Sequence, residues 1–302
     1  MAENTIPSTN INLIAQEALA QLNVVLPFLS QIAKDCSDAR ANFNDTITIQ
    51  EVQGSTAIDF NQENGYVATP KTIVNIPVPL NKHKHHTYSV SVAEASSTSV
   101  DLVQRLSLGG AYALGSAIVT DLCALITAAN FPNKSIRALG AGLDGFDRKA
   151  MVMCGVPLSK RGVIPISRFM LLNSDYFGSL MSDTSMLTLL ALQGFKNIGE
   201  SGLPDIHGFK PSEYGTLPEN DENLMGFCGG RTALGFATRL PTDPGEGQSN
   251  ITISSVKDEQ TGISIQTREW YNPDKAKYLR SYTLMYGVGK GQSDAGQRIV
   301  SK

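Results

Sequence analysis

Three of the four histidines in this chain of 302 residues fall within four positions, in the segment NKHKHHTYSV. Imidazole nitrogens bind zinc and other transition metals, and imidazoles exchange protons near neutral pH. The segment therefore raises two kinds of chemistry, metal binding and acid–base catalysis. The cluster consists of two lysines and three histidines: Lys82, His83, Lys84, His85 and His86.

The residues around the cluster predict a β-strand, because apolar residues alternate with other residues on both sides of it. Successive side chains of a strand point to opposite faces. His83 and His85 then share one face, and His86 lies on the other face with the two lysines. Zinc needs at least three protein ligands, and neighbouring lysines disfavour a bound cation. We therefore interpret the cluster as a basic, partly exposed contact for an acidic or polar partner, sensitive to protonation.

The rest of the sequence lacks the usual catalytic and cofactor-binding motifs. There is no GxxxxGK[ST] phosphate loop, no GxGxxG between a predicted strand and a helix, and neither HExxH nor GxSxG. The segment GVGKGQ (287–292) has glycines and a lysine but precedes no predicted helix, so we interpret it as a flexible strand exit. We expect a non-enzymatic protein without a cofactor or a metal site.

Composition limits the class of protein. Hydrophobic residues make up 41% of the chain and charged residues 18%, which suits a sizeable core and argues against disorder. The length fits one large domain or two ordinary ones. The net charge of −3 disfavours a dedicated nucleic-acid-binding protein, which usually has a basic face.

Cysteine spacing and hydropathy bear on the compartment. The cysteines form no CxxC unit and predict reduced, partly buried thiols. They are Cys36, Cys123, Cys154 and Cys228. The first ten residues, MAENTIPSTN, lack the pattern of a signal peptide. The apolar stretch 106–133 is diluted by glycines and hydroxyl residues, so we expect a soluble helix and no membrane span.

In the first part of the chain the periodicity predicts a helix and then a hairpin. Apolar residues at three- and four-residue spacing predict an amphipathic helix over residues 10–36. Alternation over 45–52 and 73–92 predicts two long strands joined by a wide loop. Pro77 and Pro79 lack N–H donors, so the second strand should lie at an edge with one side unpaired. Such a hairpin needs a surface to pack on, in its own molecule or in another.

A long helix and later strands complete the prediction. Residues 97–130 have helical spacing and end ahead of Pro132. The segment RFMLL (168–172) predicts a strand, followed by a turn at Asn173 and a short helix. Alternation then predicts three closing strands, over 251–256, 262–269 and 276–289. Segregated helices and strands of this kind predict an α+β protein.

In its order of elements the chain resembles the major capsid proteins of tailed double-stranded DNA phages, which have the Hong-Kong-97-like fold. The resemblance extends over nearly the whole chain, and the order and spacing of the segments carry it more than any single motif. The segments most similar to the family are LNKHKHHTYSVSVAEASSTS, RFMLLNSDYFGSLMSD, GRTALGFATRLP and ISSVKDEQTGISIQTREWYNPDKAKYLRSYTLMYGVG.

The resemblance implies a division of the chain into segments. An N-terminal arm would span residues 1–42 and an extended β-hairpin loop 43–96. The spine helix and the start of the peripheral domain would span 97–144, the axial domain 145–240 and the closing strands of the peripheral domain 241–302.

The resemblance also implies a structural function. Members of the family assemble as pentamers and hexamers into an icosahedral shell around the phage genome. Implied partners are further copies of the chain, a scaffolding protein, a portal and a decoration protein, and the enclosed double-stranded DNA is not read by sequence. Assembly in the cytoplasm of the bacterial host and a final location in the virion capsid follow. The extended loop lies across a neighbouring subunit in this family, so the cluster becomes a candidate inter-subunit contact.

Two alternatives stay open on the sequence. An encapsulin-type nanocompartment would have the same fold but would enclose a cargo enzyme. A metal-dependent enzyme would use the pair His83 and His85 as ligands.

Overall fold

The computed structural model of the protein describes most of the chain from residue 27 onward. The described residues are 27–52, 57–68, 73–91, 101–138, 145–166, 168–186, 188, 206–215, 217–242, 251–257 and 262–301. They contain several helices and a larger number of strands, which confirms the predicted α+β class.

The elements are numbered along the chain. The strands are β1 (Ala33–Ala41), β2 (Thr46–Val52), β3 (Ile73–Pro79), β4 (Lys82–Ser91), β5 (Lys134–Ile136), β6 (Arg168–Leu172), β7 (Phe209–Glu213), β8 (Leu224–Gly230), β9 (Leu234–Pro241), β10 (Ile251–Lys257), β11 (Ser264–Asn272), β12 (Lys277–Lys290) and β13 (Gly296–Val300). The α-helices are α1 (Asp101–Cys123), α2 (Arg148–Lys160) and α3 (Ser174–Ser182).

The larger sheet has six strands built around β12. Its order is β1-β9-β12-β11-β10, and β4 pairs with β12 as well. The strands β4 and β11 pair with the same residues of β12, so they lie on its opposite sides. All these pairs are antiparallel except β1 with β9, which is parallel. The strand β4 is therefore an edge strand among the described residues.

The smaller sheet has five strands in the order β5-β13-β8-β6-β7. The interior strand β6 (RFMLL), which lies between β8 and β7, has all five residues buried. Phe169 and Leu171 belong to the core shared with α1 and the six-stranded sheet. Met170 and Leu172 belong to a second core, closed by α2 and α3. A strand buried on both faces is expected to be apolar throughout.

The two helices on the smaller sheet begin at side-chain caps. The carboxylate of Asp147 accepts a hydrogen bond from the backbone N–H of Ala150 (2.7 Å), at the start of α2. The side-chain oxygen of Asn173 accepts from the N–H of Tyr176 (3.0 Å), at the start of α3. Such caps satisfy N–H groups that the first turn of a helix leaves free. The predicted strand, turn and helix over 168–182 are confirmed.

The strands β2 and β3 form the predicted antiparallel hairpin, and they pair with each other alone among the described strands. Their inner side chains Ile49, Ile76 and Val78 are buried against Ala237 of β9 and Met285 of β12. The base of the hairpin therefore packs on its own chain.

The predicted helix over 10–36 is wrong where the structure describes it. Residues Pro27–Ser30 form a short 3-10 helix, and β1 begins at Ala33. The helical apolar spacing ends at Ile32, and β9 then provides hydrogen-bonding partners for a mostly polar segment. Residues 10–26 lie outside the described part of the chain.

The predicted second hairpin strand, 73–92, is divided in two. The break falls at Leu80, whose N–H donates to the carbonyl of Asp45 (2.8 Å) while its carbonyl accepts from Asn44 (3.0 Å). These bonds close the hairpin. The chain then crosses to the six-stranded sheet as β4, and the fully buried side chain of Leu80 packs in the core beneath the hairpin.

The long helix α1 ends at Cys123, seven residues short of the predicted end at Asn130. The side-chain amide of Asn220 donates to the carbonyl oxygens of Cys123 (2.9 Å) and Ile126 (2.7 Å). An external donor at these carbonyls replaces the next turn of the helix. No helix in the described residues is both long and apolar enough to cross a membrane.

Each sheet contains strands from both sides of the predicted segment boundary between residues 240 and 241. The strand β13, from the closing segment, pairs with β8 in the five-stranded sheet. The strand β9, from the predicted axial domain, lies in the six-stranded sheet.

Candidate inter-subunit surface

The histidine cluster lies on the edge strand β4, in register with a central part of β12. His83 is opposite Met285, His85 is opposite Thr283 and His86 is opposite Tyr282. The outer edge of β4 has no partner strand in the described part of the chain. Charged side chains on an edge strand oppose uncontrolled pairing with other chains, so they restrict what can bind there.

The inner face of β4 is tied to helix α1. The ammonium group of Lys82 lies 3.5 Å from a carboxylate oxygen of Asp121. The hydroxyl of Tyr286 donates a hydrogen bond to the other carboxylate oxygen (2.6 Å). Burial, together with Asp121, raises the pKa of Tyr286, so the hydroxyl keeps its proton. Lys82, which belongs to the predicted contact cluster, therefore has a partner inside its own chain.

His86 also faces α1, where its ring rests on Gly110. A Cβ atom built on Gly110 would lie 2.5 Å from Cδ2 of His86. The preceding glycine, Gly109, has no such neighbour within 4 Å. His86 is thus separated from the other two histidines, as the strand period predicts.

We expect Gly109→Ala and Gly110→Ala to change stability in opposite directions. Alanine in a helix is favoured over glycine by about 1 kcal/mol, and Gly109→Ala should gain up to that amount. Gly110→Ala should instead lose about 1–2 kcal/mol, because its methyl group displaces the His86 ring. Urea unfolding of the free subunit measures both changes.

The double variant Gly110→Ala/His86→Ala provides the control. It should be more stable than the sum of the two single changes predicts, since removing the ring removes the clash. Equal gains from both glycine substitutions would contradict the contact between Gly110 and His86.

The outer face of β4 has His83 and His85 together. The ring of His85 is within hydrogen-bonding distance of the hydroxyl of Thr87 (Nδ1 to Oγ1, 3.1 Å), and Thr87 donates to Ser281 on β12 (2.9 Å). Burial lowers the pKa of His83, and the positive charges of Arg268 and His85 lower it further. A neutral His83 is therefore favoured by the folded chain.

We expect the free energy of unfolding to fall as the pH drops below about 6.5, partly through His83. The unfolded chain binds a proton at this histidine near its ordinary pKa of 6.5, while the folded chain resists it. The difference vanishes above that range. His83→Gln should reduce the loss of stability between pH 7.5 and pH 5.5, as measured by urea midpoints.

Lys84→Gln is the matched control on the same strand, because it changes an adjacent exposed side chain and leaves His83 in place. Its effect on the midpoint should be equal at pH 7.5 and pH 5.5. A pH dependence of His83→Gln identical to that of the wild type would contradict the prediction.

The metal-binding alternative finds no support in this geometry. Among the described residues, no group of three His, Cys, Asp or Glu side chains is placed to hold a metal ion. His207 lies elsewhere, on the five-stranded sheet side, where Arg148 Nε donates to its ring (3.3 Å). The four cysteines are free, and three of them are buried, as their spacing predicts.

A second exposed surface was not identified from the sequence. The loop 57–68, which belongs to the segment between β2 and β3, exposes four large apolar side chains. They are Ile58, Phe60, Tyr66 and Val67. Phe60 and Tyr66 pack against each other with ring centroids 5.0 Å apart, yet Tyr66 is 96% exposed. Exposed aromatic groups in one place are typical of protein contact surfaces.

The fold is similar to that of several solved phage structures. The capsid of Ralstonia phage GP4 matches with a TM-score of 0.53 and 12% identity, over 89% of this chain and 86% of that one. The capsid structure of the cyanophage P-SCSP1u matches with a TM-score of 0.53 and 10% identity, over 90% and 87%. A structure from Mycobacterium phage Che8 matches with a TM-score of 0.51 and 14% identity, over 84% of each chain.

Sequence comparison adds nothing to these matches, because no protein-family model and no curated protein matches the chain. The structural matches each extend over more than four fifths of both chains, so they concern the whole architecture and not one motif. The chain therefore has a fold similar to that of these phage capsid structures, as the resemblance in sequence predicts.

Proposed function

We propose that the protein is a major capsid protein that assembles as pentamers and hexamers into an icosahedral shell around phage double-stranded DNA. The observation that carries the proposal is the similarity of fold to phage capsid structures over 84–90% of the chain. In this proposal the role is structural and needs no catalytic residue or cofactor.

The segments proposed for the family can be placed on the described elements. The hairpin β2–β3 would be the base of the extended loop, and α1 the spine helix, whose 23 residues span roughly 35 Å. The five-stranded sheet with α2 and α3 would be the main part of the axial domain. The six-stranded sheet would form the peripheral domain, and β13 would join the two.

The extended loop would contact a neighbouring subunit through its far end. The base of the hairpin is buried on its own chain at Ile76 and Val78, whereas the loop 57–68 exposes its aromatic and aliphatic side chains. This contrast supports a loop that is anchored at one end and covered by another copy at the other. Burying such side chains would stabilise the shell by roughly 1.5–3 kcal/mol each.

The outer part of the histidine cluster is a second proposed contact. His83, Lys84 and His85 are exposed on an unpaired strand edge within the described residues. Lys82 and His86 are instead engaged with α1, so we assign them the task of positioning the strand. The net charge of −3 suits a shell that encloses DNA without binding it tightly.

Electron microscopy of the expressed protein tests the proposal. Closed shells or capsomers are expected, either from the protein alone or after coexpression with the scaffolding protein from the same genome. Particles that contain double-stranded DNA in an infected cell would support the phage assignment, while a cargo enzyme in their place would support the encapsulin alternative. A protein that stays monomeric in every assembly condition would contradict both.

A further inference from the structure

Helix α2 is apolar on two opposite faces. Its inner face is buried in the core of the five-stranded sheet through Ala150, Met151, Cys154 and Leu158. A helix on the surface of a protein needs one such stripe. Its outer face nevertheless presents Met153, which is 49% exposed, and Val156, which is similarly exposed. The second stripe has no function in the fold of the described chain.

The outer stripe continues beyond the helix. The loop between α2 and β6 adds Ile164 and Ile166, and Ile166 is 80% exposed. Lysines bound the stripe, since Lys149 and Lys160 are both exposed on the same helical face. We define the α2 face as these six residues: Lys149, Met153, Val156, Lys160, Ile164 and Ile166.

A hollow in this surface is lined in part by the cationic side chains of Lys160 and Arg168. It has a volume of about 430 Å³ and lies between Val156, Lys160, Pro165, Arg168 and His207. A basic pocket surrounded by apolar side chains has the anatomy of an interface centre, where an acidic partner group would be shielded from water.

The opposite end of the same sheet is acidic. The strands β6 and β7 are parallel, so their carboxyl ends meet at one edge. Glu213, at the end of β7, and Asp175, in the first turn of α3, are exposed there. The segment 214–230 that follows contains three acidic residues and neither lysine nor arginine. We name the pair Asp175 and Glu213 the acidic end.

The α2 face and the acidic end lie at opposite ends of β6. Arg168 begins the strand next to the C-terminal turn of α2, where its side chain donates to Ser159 (3.0 Å). Leu172 ends the strand next to α3. Complementary surfaces at two ends of one folded unit allow head-to-tail contacts between copies, and such contacts form a ring where the rotation from one copy to the next closes.

We propose that the α2 face of one copy packs against the acidic end of the adjacent copy and so closes the ring of a capsomer. The proposal rests on the shell function proposed above and names the surfaces that would join its subunits. The apolar centre of the α2 face argues for a protein partner, since a nucleic-acid surface is chiefly cationic and polar.

The test reverses the charges on one surface and then on both. The double variant Lys149→Glu/Lys160→Glu should raise the protein concentration needed for assembly at least tenfold, because like charges then face each other. Adding Asp175→Lys/Glu213→Lys should restore assembly to within about threefold of the wild type. Light scattering measures the concentration, electron microscopy the particles, and circular dichroism the fold of each variant.

The control variant Lys275→Glu/Lys277→Glu makes the same change of net charge at two exposed residues, one in the turn before β12 and one at the first position of β12. It should assemble within about twofold of the wild type. Normal assembly of Lys149→Glu/Lys160→Glu would overturn the inference and leave the shell function intact. Failure of the charge-swapped variant to recover would overturn the pairing with the acidic end.

Two further outcomes distinguish a failure of this inference from a failure of the proposed shell function. Shells that form normally in the double variant but contain less DNA would show that the α2 face contacts nucleic acid, and would overturn the protein contact. A wild-type chain that never assembles would remove the shell function and the inference together.

Discussion

Gly287→Ala is expected to cost the free subunit about 3 kcal/mol, although it adds a single methyl group. The effect is the upper end of what overpacking of a well-packed core costs. The reason is that β3 of the hairpin packs directly on the backbone of β12 in the six-stranded sheet. A Cβ atom on Gly287 would lie 2.2 Å from the carbonyl oxygen of Pro79 and 2.8 Å from its carbonyl carbon. These are backbone atoms, so the whole of β3 would have to move.

Three glycines of the six-stranded sheet lie directly beneath β3. Gly287 and Gly289 lie on β12, and Gly235 on β9 is the direct partner of Gly289. A Cβ atom on Gly289 would lie 2.5 Å from the carbonyl oxygen of Pro77, and one on Gly235 would lie 2.7 Å from the side chain of Ile76. Because these three positions have no side chains, the apolar side of the hairpin packs directly on the backbone of the sheet.

Urea midpoints of the free subunit measure the loss of stability in Gly287→Ala. Hydrogen exchange of the β3 amides reports whether the hairpin has separated from the six-stranded sheet. Gly109→Ala is the control, since no neighbour within 4 Å opposes its methyl group. The hairpin variant should also assemble poorly, because the loop 57–68 extends from the displaced strand. Unchanged stability and unchanged hydrogen exchange in β3 would contradict the close packing of β3 on Gly287.

The sequence predicted the elements whose signals are local. The closing strands β10, β11 and β12 show alternation and are separated by turn residues, and all three are confirmed. The strand β6 and the turn at Asn173 were also predicted, and the structure adds that the side chain of Asn173 caps α3. Alternation also separated His86 from His83 and His85, a division that depends on the strand period alone.

The elements that depend on distant partners were not predictable from local signals. The polar segment of β1 is a strand because β9, some two hundred residues later, pairs with it. Gly287 and Gly289 fall at the end of the predicted strand over 276–289, and GVGKGQ was interpreted as its flexible exit. In the structure both glycines lie in β12 beneath the hairpin, where a side chain would not fit. A glycine that permits close approach is the same in sequence as one that permits flexibility.

The candidate contact surface was predicted in part. The position of the cluster on a strand follows from the pattern, but the partner of Lys82 is Asp121 on α1, which no spacing reveals. The exposure of Met153 and Val156 was equally hidden, because an outer apolar stripe and a buried one have the same helical period. Whether these surfaces contact other subunits stays a prediction.

Arg298→Met is the second change for which we expect a large effect, a loss of about 3–5 kcal/mol. The side chain of Arg298, on β13, is 4% exposed and forms an ion pair with Glu222. Its guanidinium also donates to the carbonyl oxygens of Phe131 (2.6 Å) and Pro132 (3.3 Å). These carbonyls belong to the segment that leaves α1, so one side chain holds the five-stranded sheet to the end of the long helix.

Methionine keeps most of the buried stem of Arg298 and removes the charge and all the donors. The carbonyl of the buried Phe131 then loses its partner, and an unsatisfied buried group costs about 1–3 kcal/mol. The carbonyl of Pro132 and the carboxylate of Glu222, which is 24% exposed, also lose their partner but are partly reached by water. The matched control is Arg231→Met, which breaks the ion pair of Arg231 with Glu51 (2.9 Å). Arg231 is 51% exposed, so this loss should stay below about 1 kcal/mol.

The double variant Arg298→Met/Glu222→Gln distinguishes the ion pair from the carbonyl contacts. If the unpaired carboxylate causes much of the loss, the second change should recover part of it, because glutamine carries no charge to desolvate. If the carbonyl groups of Phe131 and Pro132 dominate, the double variant should be as unstable as Arg298→Met alone. Urea midpoints compare the variants, and equal small effects of Arg298→Met and Arg231→Met would contradict a buried anchor at this position.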